Sequence, residues 1–246
     1  MDVNWRWHTR FRGLLPLAPH AMADDGQVLV ARPDELEARK YQIVRVDAGG
    51  AAREAGCVTV ETVRQVCLTA EAPMLIGATD DDLYLFREGR KSRFLPDRRV
   101  TYLSVALARS GGCFAVGQTD MMFAGQTLAL ADASGKLLWT KEMDAPIGVV
   151  GLSPEGRVVA VGLESGFLAA YDAGRALLWE AVLDAPVVAL ALSAEGGRCV
   201  AATAAGVVLA IDRGDVAWRV ELPAQGAPGA GWSPGVVPGR RRRRQP

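Results

Sequence analysis

Three features of the sequence predict an all-β chain built from repeated four-stranded units. A phrase recurs at a spacing of 40 residues, with Asp144-Ala145-Pro146 opening one copy and Asp184-Ala185-Pro186 the next. Each copy holds short runs rich in Val, Leu and Ala, bounded by Gly, Asp, Pro or Ser, which is a strand-and-turn signature rather than a helical one. A tryptophan closes each unit, at Trp139, Trp179 and Trp218. Repeats of about 40–45 residues with four strands each are β-propeller blades. The expected fold class is therefore all-β: a β-propeller of about five four-stranded blades in an incomplete or open ring over 1-223, then a disordered Gly/Pro/Arg-rich tail over 224-246.

Taken in chain order, the first blade spans roughly residues 11–60, with strands at LLPLA (14–18), QVLVA (27–31), YQIVRVD (41–47) and CVTV (57–60). The second runs 61–98 and draws strands from VRQVCLT (63–69), PMLIGAT (73–79) and DLYLF (82–86). SVALARSGG (104–112), TLALAD (127–132) and KLLW (136–139) make the third, with a few extra residues around Met121-Met122-Phe123. The fourth reads LSPEG (152–156), FLAAYD (167–172) and LLW (177–179); the fifth answers with LSAEG (192–196), VVLAID (207–212) and VAW (216–218). Continuous apolar runs such as VVALAL (187–192) fit strands covered on both faces, as stacked blades require. A β-sandwich also has strands every 8–12 residues and is the alternative, but the 40-residue identity favours blades.

Physical reasons can be given for the turns. Ser153-Pro154-Glu155-Gly156 and Ser193-Ala194-Glu195-Gly196 suit type I turns between the first and second strands. Asp132, Asp172 and Asp212 each end a third strand and lead into a Gly two or three residues later, where Asp can bond its own backbone and Gly can take positive φ. Trp139, Trp179 and Trp218 share one site in the outermost strand, which predicts a packing role between blades.

These residues carry a family resemblance. DASGKLLW (132–139) resembles the tryptophan-containing motif of quinoprotein-type (PQQ-like) propeller repeats, and LSPEGRVVAVGLESGFLAAYD (152–172) resembles bacterial WD40-type repeats. The likeness covers 61–222 well and 11–60 loosely. It departs from the WD pattern because no Gly-His opens a blade, and the terminal Trp-Asp is replaced by Tyr171-Asp172, Ile211-Asp212 and Ala131-Asp132. Both families imply a propeller. Quinone-dependent dehydrogenase activity does not carry over, since the resemblance implies bound calcium and a vicinal cysteine pair and this chain has no adjacent cysteines.

At 246 residues and 50% hydrophobic the chain can bury a substantial core, and it lacks a run of roughly 18 apolar residues that could span a membrane. The N-terminus, with Trp and Arg in place of an apolar secretory stretch, leads to the expectation of a cytoplasmic protein. Cys57, Cys67, Cys113 and Cys199 show no metal-ligand spacing and read as buried reduced thiols; Cys113 and Cys199 are placed at equivalent blade positions. His8 and His20 stand alone, and Asp80-Asp81-Asp82 read as a solvated hairpin turn rather than a cation site. GxSxG, GxxxxGK[ST] and HExxH are all missing, so no catalytic, cofactor-binding or metal residues are expected, and the chain is read as not an enzyme.

The final stretch differs in kind, with Gly and Pro throughout and Arg240 to Arg244 in a block. Without those five arginines the 28 basic residues become 23 against 28 acidic ones, a body charge of −5 that argues against nucleic-acid binding. The repeat stops abruptly at Pro223, as a frameshift or truncation would leave it. Five blades leave exposed end faces, so self-association through open blade edges is a further expectation, and VNWRW (3–7) resembles an outer strand awaiting a blade from elsewhere. The function expected is a non-catalytic β-propeller scaffold binding a protein partner, with no membrane partner. The alternatives are a quinone-dependent dehydrogenase-like enzyme fragment or the sensor domain of a larger signalling protein.

Overall fold

Strands recur because each apolar run is too short for a helix and is cut by turn residues on both sides. The structure, a computed structural model, describes residues 20–22, 28–33, 40–47, 49–59, 63–68, 74–79, 83–87, 90–94, 100–120 and 125–222. The expected strand at 14–18, the 3–7 segment, His8, Asp80 to Asp82, Met121 to Phe123 and the 224-246 tail lie outside the described residues.

Blade I consists of β1 (His20–Met22), β2 (Val28–Pro33), β3 (Lys40–Val46) and β4 (Ala52–Thr59). Blade II holds β5 (Val63–Leu68), β6 (Met74–Thr79), β7 (Leu83–Arg87) and β8 (Arg90–Phe94). Blade III follows with β9 (Val100–Leu107), β10 (Cys113–Asp120), β11 (Gln126–Asp132) and β12 (Leu137–Met143). Blade IV is β13 (Ile147–Leu152), β14 (Val158–Leu163), β15 (Phe167–Asp172) and β16 (Leu177–Val182). Blade V is β17 (Val187–Leu192), β18 (Arg198–Thr203), β19 (Val207–Asp212) and β20 (Asp215–Glu221). Each is an antiparallel four-stranded meander in sequence order, the arrangement of a propeller blade. The first strands pack in series, β5 on β1, β9 on β5, β13 on β9 and β17 on β13, and the described sheets do not close into a ring.

The core is a set of seams between blades. Phe94 and Phe114 meet edge to face at 5.3 Å in the seam of blades II and III. Leu128, Leu130, Val159, Val161 and Tyr171 fill the III–IV seam; Ala160, Leu168, Trp179, Val187, Cys199 and Leu209 fill the IV–V seam. All six residues of β14 are buried, because alternate side chains enter opposite seams. In β18 exposed and buried residues alternate, so a strand of similar composition is covered on one face only. The expectation that VVALAL is covered on both faces is corrected in the same way: Val187 is buried, whereas Val188, Ala189 and Ala191 are exposed, because no blade lies beyond them among the described residues.

Glycines set how closely blades nest. A Cβ on Gly117 would lie 2.7 Å from Ile147, and one on Gly162 would lie 2.6 Å from Val187, so both admit the first strand of the following blade. The hairpin glycines fix the turns: Gly156 and Gly196 each take φ 71 and donate N–H to Ser153 and Ser193 at 2.8 and 3.0 Å. Gly196→Ala combines strain at positive φ with a clash 2.3 Å from Val158. It should destabilise the fold by about 2 kcal/mol or more in urea melts, the backbone strain alone being worth roughly 1–3. Wild-type stability would show that this turn is free to move away from blade IV.

Candidate functional site

The aspartates at the ends of the third strands behave in two ways. Asp132 Oδ1 accepts the Ser134 hydroxyl at 2.6 Å and the N–H groups of Ser134 and Lys136 at 2.8 and 3.0 Å. The Ser134 hydroxyl, followed by those backbone donors, holds the Asp132 carboxyl below its ordinary range. A depressed carboxyl stabilises the fold above the ordinary carboxylate pKa and ceases to do so as pH falls through the lowered one. Asp172 accepts Gly174 and Ala176 N–H at 2.9 and 2.8 Å, and Asp47 accepts Gly49 and Ala51 N–H at 2.9 Å each, a blade I counterpart the sequence reading missed.

Two details depart from expectation. After Asp172 the positive φ of 77 belongs to Arg175 rather than Gly174, and the Arg175 guanidinium reaches back to the Thr140 carbonyl at 3.3 Å. After Asp212 the turn is tighter: Arg213 and Gly214 both take positive φ, and the Asp212 carboxylate pairs with Arg198 at 3.2 Å instead of capping its own loop.

The tryptophans cross the seams. Trp139 Nε1 donates to the Ala173 carbonyl of blade IV at 2.9 Å, and Trp179 Nε1 donates to the Gly196 carbonyl of blade V at 3.2 Å. Trp179 is 6% exposed; Trp218, in the last described blade, is 47% exposed. Between blades IV and V, where Val207 stands in place of Phe167, a cavity of about 150 Å³ opens, lined in part by Leu183, Thr203, Val207, Leu209 and Arg219. Its rim carries the Arg219–Asp184 ion pair at 3.2 Å.

The four cysteines are free thiols. Burial pushes the Cys67 thiol up to about 12 and the Cys199 thiol to about 11, and also raises Cys113. The equivalence of Cys113 and Cys199 needs correction, because Cys113 pairs with Asp132 whereas the partner of Asp212 is Arg198. A one-residue offset turns a side chain to the opposite face. Cys113 accordingly meets the following blade at Gly156, and Cys199 the preceding one. His20 pairs through its backbone with Val30 in β1. Among the described residues no group of three or more His, Cys, Asp or Glu could hold a metal ion, and no helix is long and apolar enough to cross a membrane.

The blade geometry and the tryptophan spacing meet an independent finding. A family model of the PQQ type, described as outer membrane protein assembly factor BamB, matches residues 124–237. Over these residues the chain carries quinoprotein-like β-propeller repeats. No curated protein matches it significantly. The match begins just before β11, so it takes in the two tryptophan-latched seams of the quinoprotein-like repeats and all of blades IV and V.

Two measurements check this description. Trp179→Ala should cost about 3–5 kcal/mol in urea melts, as truncation of a buried large aromatic does, while Trp218→Ala should cost under about 1 kcal/mol; equal losses would deny the seam its latch. Unfolded thiols ionise near 9.0, whereas folded Cys199 and Cys67 wait until about 11 and about 12. Their contribution to stability is therefore constant below 9.0 and declines as pH rises beyond it. Both should resist thiol reagents in the native protein at mildly alkaline pH and react once urea is added; rapid native labelling would show that the seams open.

Proposed function

We propose that this propeller is a non-catalytic interaction platform that binds a protein partner along the outer rim of blades III to V. One observation carries the proposal: Leu137 and Leu138, Leu177 and Leu178, and Val216 stand exposed just before Trp139, Trp179 and Trp218 on three successive outer strands. An exposed apolar side chain that recurs at one level of each blade suits contact with another protein. β12, β16 and β20 each end their sheet, so their outer edges also offer unpaired backbone groups to an added strand. The matched family model's description as an outer membrane protein assembly factor supports this reading.

The test is a comparison of the wild-type chain with Leu138→Glu/Leu178→Glu as bait in native cell extract. Both leucines are about half exposed, so the variant should melt within about 0.5 kcal/mol per site of the wild type. A partner captured by the wild type and lost by the variant is the expected result. Equal capture by both would remove the rim from the binding surface.

A further inference from the structure

The seam between blades IV and V leaves open a space that the III–IV seam fills with its own side chains. In the III–IV seam Phe167 and Met143 pack against a core that includes Leu163. The pairing registers put Val207 at the Phe167 position of blade V and Thr203 at the Leu163 position. Leu209, larger than its counterpart Ala169, takes back part of the room, yet a cavity of about 150 Å³ remains beside Val207.

That cavity has the size and the wall for one aromatic ring. Valine in place of phenylalanine leaves out a phenyl ring, and an apolar cavity of about 150 Å³ stays dry and takes up benzene. Of the lining side chains only Thr203, Asp184 and Arg219 are polar. Thr203 is 5% exposed, and its hydroxyl donates to the Val207 carbonyl at 3.5 Å. A held water needs two to four polar partners, which the side chains of Leu183, Val207 and Leu209 do not offer. At the exposed mouth the Arg219 guanidinium takes Asp184 at 3.2 Å and Glu221 at 3.3 Å. Two carboxylates to one guanidinium leave no spare positive charge there, so an anionic ring would lose its hydration and gain no partner.

We propose that the IV–V seam is a binding site for a small, uncharged, single-ring aromatic molecule. The ring enters past Arg219 and lies against Val207 and Leu209, where the III–IV seam carries the side chain of Phe167. The site does not depend on the rim proposed for a partner protein. Val216 alone is common to both, and Val207 lies inside the seam, so either reading can fail without the other.

Methyl NMR of the full chain, titrated with phenol, tests it. The methyl resonances of Leu183, Val207 and Leu209 should shift saturably with a Kd of about 1 mM or below, while those of Leu128 and Val161 in the III–IV seam stay in place. Benzoate should bind at least about tenfold more weakly than phenol. Val207→Phe, which puts the III–IV residue into the cavity, should abolish the phenol shifts with the β-sheet circular dichroism unchanged. If that variant does not fold, the wild-type shifts alone decide. A wild type that shows no saturable shift overturns the proposal, whether the seam closes or the chain's own residues fill it. Shifts that fall in the III–IV seam instead, benzoate binding as tight as phenol, or a folded Val207→Phe that binds like the wild type overturn it as well.

Discussion

The seam between consecutive blades is the constraint on which the rest of the structure depends. A four-stranded sheet of about 40 residues cannot bury both faces by itself, and its second strand here is apolar on both. Burial is achieved by setting the first strand of one blade against the second strand of the blade before it, and in the III–IV and IV–V seams a missing Cβ lets the two come close. Gly117 against Ile147 and Gly162 against Val187 supply that gap. Once the inner strands nest, the larger residues further out, such as Leu128, Leu168 and Tyr171, fill the widening wedge.

The outer end of each seam needs a different solution, because blades diverge from the centre. There the tryptophan spans the gap, with its ring against the next blade and its N–H on a carbonyl of that blade's turn. The two latches are not identical: Trp139 reaches the loop between β15 and β16, and Trp179 reaches the loop between β17 and β18. The III–IV seam adds Arg175 on the Thr140 carbonyl and Lys141 over the Tyr171 ring at 5.2 Å. The positive φ of Arg175 is thereby accounted for: the guanidinium contact to the neighbouring blade offsets a conformation that Gly135 adopts freely in blade III.

Much of this was legible in the sequence, and the reasons are local. Most strand boundaries of blades III to V follow from turns whose chemistry is explicit, since the Ser-x-Glu-Gly turns of blades IV and V and the loops capped by Asp132 and Asp172 are each fixed by named hydrogen bonds. The tryptophan sites followed from the repeat alone. β8 was not legible, because Arg90-Lys91-Ser92-Arg93-Phe94 is nearly all polar; it is held by pairing with β7 and by the burial of its one apolar residue, Phe94. One-sided coverage of β17 was hidden for the opposite reason: an apolar run looks the same whether or not a neighbouring blade exists. The cysteine register was misjudged by one residue, a shift that composition cannot reveal and that a strand converts into the opposite face.

A stack of blades joined only to their neighbours is stabilised seam by seam, so position along the chain decides how firmly each is held. Blades III and IV have a core cluster on each side, and their second strands have no exposed apolar residue. Among the described residues blade V has a seam on one side only, with a cavity in it, and its opposite face carries Trp218, for which no described residue supplies a carbonyl. The Arg219–Asp184 pair helps close the seam from outside, but it is exposed and worth at most about 1 kcal/mol. Blade V therefore has the smallest share of two-sided burial among the well-defined blades, and any contact that covers its outer face contributes to folding as much as to assembly.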